Sequence, residues 1–227
     1  MINKSIYVAM GRVAHDECYT THCEAEKLAK FICENNLARL DAKIWLPFDN
    51  EQSNIYKALK SIGFENLILT NLEQGQDFYI TEPPTWDMII TNPPFSGRTR
   101  LFKRLLGFGK PFIILQASQM FNNQFVVKYL CDSAHDFQFI MPRSRMNFIT
   151  YNAKTDRLES HKSGAAFYSF WLCYKIALSA SFNFLPDSGR EKTIEQFDRH
   201  GNVIEDAHYN LFTWAKGLTG GSSYDTI

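Results

Sequence analysis

The sequence lacks any hydrophobic run long enough to cross a bilayer. Its longest apolar stretches, at 112–117 and 167–174, are far shorter than the roughly 20 residues that a transmembrane helix needs. Residues 1–17 carry charges near their middle and contain no long apolar core, which excludes a secretory signal. We therefore expect a cytoplasmic protein without a membrane partner.

The chain also lacks net charge, because 24 Lys and Arg residues balance 24 Asp and Glu residues among its 227. Binding to nucleic acid therefore cannot be argued from overall charge and must be argued from local patches. Apolar residues are abundant, since hydrophobic types make up 45% of the chain and 19 residues are Phe. This composition can fill a core and excludes a globally disordered protein.

Cysteines are few and irregularly spaced, which excludes a disulfide framework and predicts reduced thiols. The five are Cys18, Cys23, Cys33, Cys131 and Cys173. Two of them, with His15 and His22, place four possible metal ligands within nine residues. Tetrahedral zinc takes pairs of ligands separated by two to four residues and drawn from two segments. His22 and Cys23 are adjacent instead, so we predict no metal site.

Apolar segments typical of buried strands alternate with amphipathic segments typical of helices. Strands are predicted at 43–48, 66–70, 86–91, 111–117, 137–141, 145–151 and 166–176. Helices are predicted at 24–40, 50–62, 99–107 and 123–132. This order predicts an α/β fold with a mostly parallel sheet covered on both faces. We place one domain at 1–180 and a C-terminal extension at 181–227, with a hairpin at 200–202 and a frayed tail, packed on the same domain.

Parallel sheets bind ligands at the carboxyl ends of their strands, which here are Asp49, Asn71 and Asn92. The last of these opens the segment Asn92-Pro93-Pro94-Phe95. Two prolines fix φ and remove two backbone donors, which leaves carbonyls as free acceptors beside the Asn92 side-chain oxygen. Such acceptors turn the lone pair of an amino group toward an electrophile, and Phe95 offers a face for a planar base. The alternative is a proline turn that merely ends a strand.

The segment 85–97, TWDMIITNPPFSG, resembles the catalytic motif of S-adenosylmethionine-dependent N6-adenine DNA methyltransferases of the phage and EcoRI type. Further segments resemble that family in the expected order, at 17–21, 45–53, 74–79, 143–148 and 165–176. The sequence departs from the family in lacking a Gly-rich cofactor loop and in carrying Asn71 where many members have an acid; Glu73 lies nearby. The resemblance implies a Rossmann-like class I methyltransferase fold and a site-specific, adenine-specific DNA methyltransferase.

The resemblance also implies roles at the catalytic motif. The Asn92 side chain and the Pro93 carbonyl would accept hydrogen bonds from the adenine amino group, with Pro94 shaping the turn and Phe95 stacking on the base. The adenine would have to flip out of a DNA duplex to arrive there. Phe148 is the candidate for the opposite face of the base; the alternative is a core aromatic of a strand.

For the cofactor S-adenosylmethionine, the resemblance implies a second set of contacts. Asp77 would bind the adenine amino group and Phe78 would pack on the adenine ring. The methionine part would be surrounded by Phe48, Asp49 and Ser53, with Tyr19 and Thr20 closing the other side. Asn71 would be a further cofactor contact, at the position where many methyltransferases have an acid for the ribose hydroxyls, and Glu73 could substitute for that acid. Asp49 has the alternative role of a helix N-cap.

Basic residues follow the motif without an intervening acid. Phosphate contacts are predicted for Arg98, Arg100 and Arg104, and for a second cluster, Arg143 and Arg145. The alternative is an ordinary solvated surface. Three other functions stay open at this point: an RNA adenine methyltransferase, a protein glutamine methyltransferase, and a non-catalytic binding protein of the same fold.

Overall fold

The computed structural model describes residues 18–152, 157–160, 167–186 and 196–197. Four helices lie in this part of the chain: α1 His22–Glu34, α2 Asn54–Ser61, α3 Arg98–Phe108 and α4 Gln124–Asp132. The strands are β1 Tyr19–Thr20, β2 Ile44–Pro47, β3 Leu67–Thr70, β4 Met88–Thr91, β5 Phe112–Ala117, β6 Phe137–Met141, β7 Phe148–Asn152, β8 Arg157–Ser160, β9 Ser169–Tyr174, β10 Phe182–Phe184 and β11 Gln196–Phe197.

Seven strands form the main sheet, in the order β10-β6-β9-β5-β4-β2-β3. Strands β3, β2, β4 and β5 run parallel to one another, and β10 runs parallel to β6. Only β9 is reversed, and it lies between β5 and β6. The predicted α/β architecture with a mostly parallel sheet is therefore confirmed.

Each face of this sheet packs against its own pair of helices. Alternate residues of a strand point to opposite faces, so Ile44 and Leu46 pack with α1 and α2, while Trp45 packs with α3 and α4. All three side chains are fully buried, and burying each one stabilises the fold by roughly 1.5–3 kcal/mol. Because both faces of the sheet are buried, its inner strands are continuous apolar segments in the sequence instead of alternating apolar and polar residues.

A second, antiparallel sheet has the order β1-β7-β8-β11. The short strand β1 pairs with β7, with Tyr19 opposite Ile149 and Thr20 opposite Phe148. The sequence pattern predicted a strand near β7 but not this separate sheet. Its importance is that it holds the N-terminal segment against the carboxyl end of β4, as shown below.

Several predicted boundaries differ from the structure. The helix expected at 24–40 ends at Glu34, because the Asn35 side chain donates to the Phe31 carbonyl (2.9 Å) and Asn36 takes a positive φ of 52°. Leu40 consequently lies beyond the helix and is exposed. Strand β10, which follows the predicted domain boundary, pairs with β6 in the main sheet, and Leu185 is part of the hydrophobic core. The predicted hairpin at 200–202, the tail and His15 lie outside the described residues.

Within the described part of the chain, none of the helices combines the length and the apolar character that crossing a membrane requires.

Candidate active site

The ends of three adjacent parallel strands bring Asp49, Asn71 and Asn92 to one edge of the main sheet. The Asn71 side-chain amide donates to the Asp49 carbonyl over 3.2 Å. The Thr91 hydroxyl, one residue before Asn92, donates to Asp49 Oδ2 over 2.7 Å. Asn71 and Thr91 thus both bond to Asp49, and these hydrogen bonds form a network at the edge predicted to carry the chemistry.

Asp49 is the centre of that network, with only 8% of its surface exposed. Its other carboxylate oxygen accepts from the Ser53 hydroxyl over 2.5 Å. Burial raises the pKa of Asp49 to about 6, and the two hydroxyl donors offset part of that increase. The alternative role as a helix N-cap is wrong, because α2 begins at Asn54 and its N-cap is Ser53.

The loop after β2 turns sharply without a glycine. Phe48 takes the turn with φ at 98°, a conformation that side chains with a Cβ rarely adopt and that costs roughly 1–3 kcal/mol. Its amide donates to the Thr70 carbonyl of β3 over 2.8 Å, and its ring lies 4.9 Å from that of Phe78. These contacts hold the strained residue in place at the carboxyl edge of the sheet.

The Asn92 side chain is oriented by the N-terminal segment. Its amide nitrogen donates to the Cys18 carbonyl over 2.6 Å and to the Thr20 hydroxyl over 3.2 Å. A backbone carbonyl can only accept, so the amide nitrogen must face it. The amide oxygen is therefore directed away from Cys18 and remains the acceptor of this side chain.

Aromatic rings surround the motif in a different arrangement from the one expected. Phe95 is nearly buried and meets Phe148 edge to face, with centroids 6.2 Å apart, and Phe167 in the same manner at 5.5 Å. Rings in direct contact leave no space for a planar base between Phe95 and Phe148. Phe148 is also part of the hydrophobic core, which agrees with the alternative prediction that it is a core aromatic of a strand. A role for Phe148 on the base stays a prediction, and it requires the two rings to separate.

The loop after β3 contains Asp77 and Phe78. Asp77 Oδ1 accepts from the Tyr79 amide over 2.9 Å, and the Asp77 carbonyl accepts from the Thr81 amide over 2.7 Å. Phe78 is buried against Phe48 and Trp45, so its ring belongs to an aromatic cluster beneath the loop. The neighbouring Gln76 has a buried side-chain oxygen without a hydrogen-bond partner in the structure. Asn71 caps the short turn that precedes them, accepting from the Gln74 amide over 3.0 Å, and Glu73 is exposed.

The basic residues of α3 divide into two groups. Arg104 donates to the carbonyls of Phe78 and Thr81, each over 3.3 Å, and so ties the loop after β3 to the helix. Arg100 instead lies over the Tyr79 ring at 3.8 Å, a cation–π contact. Sequence reasoning missed the bridging role of Arg104, which required knowing that its helix packs beside that loop. Phosphate binding by Arg104 stays a prediction.

A surface pocket opens directly after the motif, where α3 begins. Its lining includes two arginines and several small polar residues: Phe95, Ser96, Gly97, Arg98, Thr99, Arg100 and Asn123. The other predicted cluster, Arg143 and Arg145, is exposed on the loop between β6 and β7. Since β6 runs parallel to β4 and β5, this loop also lies at the carboxyl edge of the sheet.

Among the described residues, no group of three or more His, Cys, Asp or Glu side chains is arranged to hold a metal ion. His22 lies in α1 with its Nε2 3.1 Å from a Glu26 carboxylate oxygen, which is a contact within one helix.

No known protein family model matches this sequence. No curated protein matches it either. Solved structures do resemble it: a candidate RNA methyltransferase from Pyrococcus horikoshii is 12% identical, with 75% of this chain and 96% of that chain aligned and a TM-score of 0.45. The 23S rRNA methyltransferase ErmE is 10% identical, with 71% of this chain and 70% of that chain aligned and a TM-score of 0.44. A type I restriction-modification methyltransferase subunit from Streptococcus thermophilus is 12% identical, with 86% of this chain and 59% of that chain aligned and a TM-score of 0.41.

The chain has a Rossmann-like class I methyltransferase fold. This assignment is based on the main sheet, with its parallel strands, its single reversed strand beside β5 and the helices on both faces. With TM-scores of 0.41–0.45 and identities of 10–12%, the likeness to these solved structures carries no argument about what this chain does. Function has to be argued from the site.

Proposed function

We propose that this protein is an S-adenosylmethionine-dependent methyltransferase that methylates the 6-amino group of adenine in DNA. The observation that carries the proposal is the orientation of Asn92. Its amide nitrogen donates to Cys18 and Thr20, which leaves its amide oxygen as an acceptor. Asn92 directly follows the buried strand β4, at the edge of the sheet where α/β folds of this kind bind ligands.

An amino group on adenine is a poor nucleophile because its lone pair is delocalised into the ring. Two acceptors, the Asn92 side-chain oxygen and the Pro93 carbonyl, would hold the two amino hydrogens and turn the lone pair out of the ring plane. A base is not needed before transfer, because the nitrogen becomes acidic only as it gains the methyl group. The contribution of the protein is then orientation and electrostatic stabilisation.

The loop after β3 supports S-adenosylmethionine as the cofactor. S-adenosylmethionine supplies an electrophilic methyl group on a sulfonium, and its adenine amino group is a hydrogen-bond donor. The buried, unpartnered oxygen of Gln76 and the carboxylate of Asp77 are adjacent acceptors that match such a donor. Asp49 and Ser53, which are hydrogen-bonded to each other after the neighbouring strand β2, would border the methionine part.

Charge segregation supports a nucleic acid as the substrate. Residues 18–87 contain 11 acidic and six basic side chains, although the whole chain is neutral. Residues 88–152 contain only two acids, Asp132 and Asp136, against eight bases: Arg98, Arg100, Lys103, Arg104, Lys110, Lys128, Arg143 and Arg145. The motif begins this basic half, and the pocket lined by Arg98 and Arg100 lies directly beyond it. Phosphates of a strand that delivers a flipped adenine would meet positive charge there.

The test is methyl transfer from labelled S-adenosylmethionine to plasmid DNA and, in parallel, to RNA, followed by nucleoside mass spectrometry. We expect N6-methyladenine with the wild type and none with Asn92→Ala, while calorimetry shows that both bind the cofactor. Product on RNA alone would favour the RNA adenine methyltransferase. Cofactor binding without product on either substrate would favour a protein substrate or a non-catalytic role.

A further inference from the structure

Three exposed phenylalanine rings, Phe121, Phe182 and Phe184, lie at the β6–β10 end of the main sheet, and the first two stack on inner rings. Phe182, on the edge strand β10, is 59% exposed, and Phe121, in the turn after β5, is 48% exposed. Each is supported by an inner ring. Phe182 stacks on Phe139 with centroids 5.1 Å apart and planes 13° apart, and Phe121 stacks on Phe170 at 5.8 Å and 26°.

A supported and exposed ring is suited to stacking with a further planar group, because its orientation is already set by the ring beneath it. The Phe139 and Phe121 rings also contact each other, with centroids 6.5 Å apart, so the two stacks form one continuous surface. We call this surface, made by Phe121, Phe139 and Phe182, the phenylalanine platform.

Positive charge borders the phenylalanine platform. Arg143 and Arg145 are exposed on the loop that directly follows β6, the strand that contains Phe139. Neither 137–152 nor 167–186 contains an acidic residue. An aromatic surface beside cations and without acids in its own strands is complementary to bases joined by phosphates.

The phenylalanine platform is also within reach of the candidate active site. Strand β10 is four positions from β4 in the sheet, which at about 4.8 Å per strand is about 19 Å. The loop carrying Arg143 and Arg145 leads into β7, and β7 pairs with β1, the strand whose Thr20 accepts from Asn92. The two arginines therefore lie on the loop that joins β6, the strand with Phe139, to β7, which is connected through β1 to Asn92.

We propose that unpaired bases of the substrate stack on Phe121 and Phe182 while Arg143 and Arg145 hold the intervening phosphates. The substrate would then be single-stranded or looped nucleic acid, because bases inside a duplex are already stacked and cannot reach the rings. This inference rests on the proposed function, which it deepens by naming the class of nucleic acid.

The experiment uses the full chain and measures fluorescence anisotropy with labelled oligo(dT), oligo(U) and a blunt duplex. The double variant Phe121→Leu/Phe182→Leu keeps apolar bulk but removes stacking, and Phe121→Trp/Phe182→Trp keeps it. We expect the leucine variant to bind the single strands at least tenfold more weakly, since each base–aromatic stack contributes about five- to 150-fold. The tryptophan variant should bind them as the wild type does, and duplex binding should change less than twofold.

Leu40→Ala is the matched control, because Leu40 is an equally exposed apolar residue in the acidic half of the chain. Unchanged cofactor affinity in every variant would show that the fold is intact. Equal losses on single strand and duplex, or no loss with leucine, would overturn the proposal. So would a wild-type dimer that the leucine variant dissociates, since the platform would then join two copies of the chain.

Failure of this inference is distinguishable from failure of the proposed function. If the wild type makes methyladenine but the leucine variant binds single strands normally, the platform is wrong and the activity stands. If the wild type makes no methyladenine on any nucleic acid while the leucine variant loses single-strand binding, the platform stands and the activity is wrong.

Discussion

Replacing Asn92 by aspartate tests the orientation of this side chain more sharply than removing it. The substitution keeps an oxygen for the adenine amino group but replaces the amide nitrogen by a second oxygen. That oxygen would lie where a donor now stands 2.6 Å from the Cys18 carbonyl, so two acceptors would oppose each other. The Thr20 hydroxyl can rotate and donate to the new carboxylate, whereas the Cys18 carbonyl cannot.

The expected cost follows from these contacts. An acceptor left facing another acceptor in a half-buried site costs about 1–3 kcal/mol, so the carboxylate should rotate away from Cys18. Rotation moves the remaining oxygen off the position that holds the amino group, and misplacement by about 1 Å costs about a hundredfold in rate. We therefore expect kcat of Asn92→Asp to fall about a hundred- to a thousandfold at neutral pH, with the cofactor dissociation constant nearly unchanged.

Lowering the pH should restore part of this activity. Repulsion from the Cys18 carbonyl disfavours the charged form and therefore raises the pKa of an aspartate at this position. Once protonated, its hydroxyl can donate to Cys18 as the amide does, and its carbonyl oxygen can accept as in the wild type. The ratio of variant to wild-type kcat should increase as pH falls from 8 to 5.5. A variant within threefold of the wild type at pH 8 would refute the argument, since Cys18 would then not determine the orientation of residue 92.

Three further predictions concern the residues around the motif. Asp49→Asn should raise the free energy of unfolding at pH 7.5. The folded pKa of Asp49 is raised from 3.8 to about 6, so the native state loses about 3 kcal/mol of stability as pH rises from about 4 to 6, and the neutral asparagine avoids this loss. The stabilisation should be smaller at pH 4, and equal stabilisation at both pH values in thermal melts would contradict this prediction. Asp77→Ala should weaken S-adenosylmethionine binding by about ten- to 150-fold in calorimetry, because it removes one charge-assisted hydrogen bond of roughly 1.5–3 kcal/mol. The control Glu65→Ala, at an exposed residue before β3, should leave the affinity unchanged, and equal affinities of the wild type and Asp77→Ala would exclude Asp77 from the cofactor site. Arg104→Ala should lower the melting temperature and the cofactor affinity, because it releases the loop after β3. Arg100→Ala should mainly raise the KM for nucleic acid and reduce the salt slope of binding by about one. If the two variants behave alike, the assignment of Arg104 to the loop and of Arg100 to nucleic acid is wrong.

Much of the architecture could be predicted because apolar periodicity is a local property of the chain. The runs that became β2, β4 and β5 are apolar except for Thr91 and Gln116, and only a strand covered on both faces buries every one of their residues. The boundaries were less predictable, since α1 ends where Asn35 bonds to the Phe31 carbonyl rather than where the apolar spacing ends. The placement of Asp49, Asn71 and Asn92 at one edge followed from the parallel order of their strands.

By itself, the sequence determined the strand that ends in Asn92, the two prolines that free its neighbouring carbonyls, and the absence of a Gly-rich cofactor loop. Only the tertiary structure decided which atoms these residues face. Asn92 meets Cys18 across 74 positions of sequence and Asp49 meets Thr91 across 42, through a second sheet and a strand order that no local pattern encodes. A hydrogen bond depends on tenths of an ångström and on direction, whereas hydrophobic burial depends on area alone. For this reason the core could be predicted from the sequence, whereas the orientation of the Asn92 amide could be seen only in the folded chain.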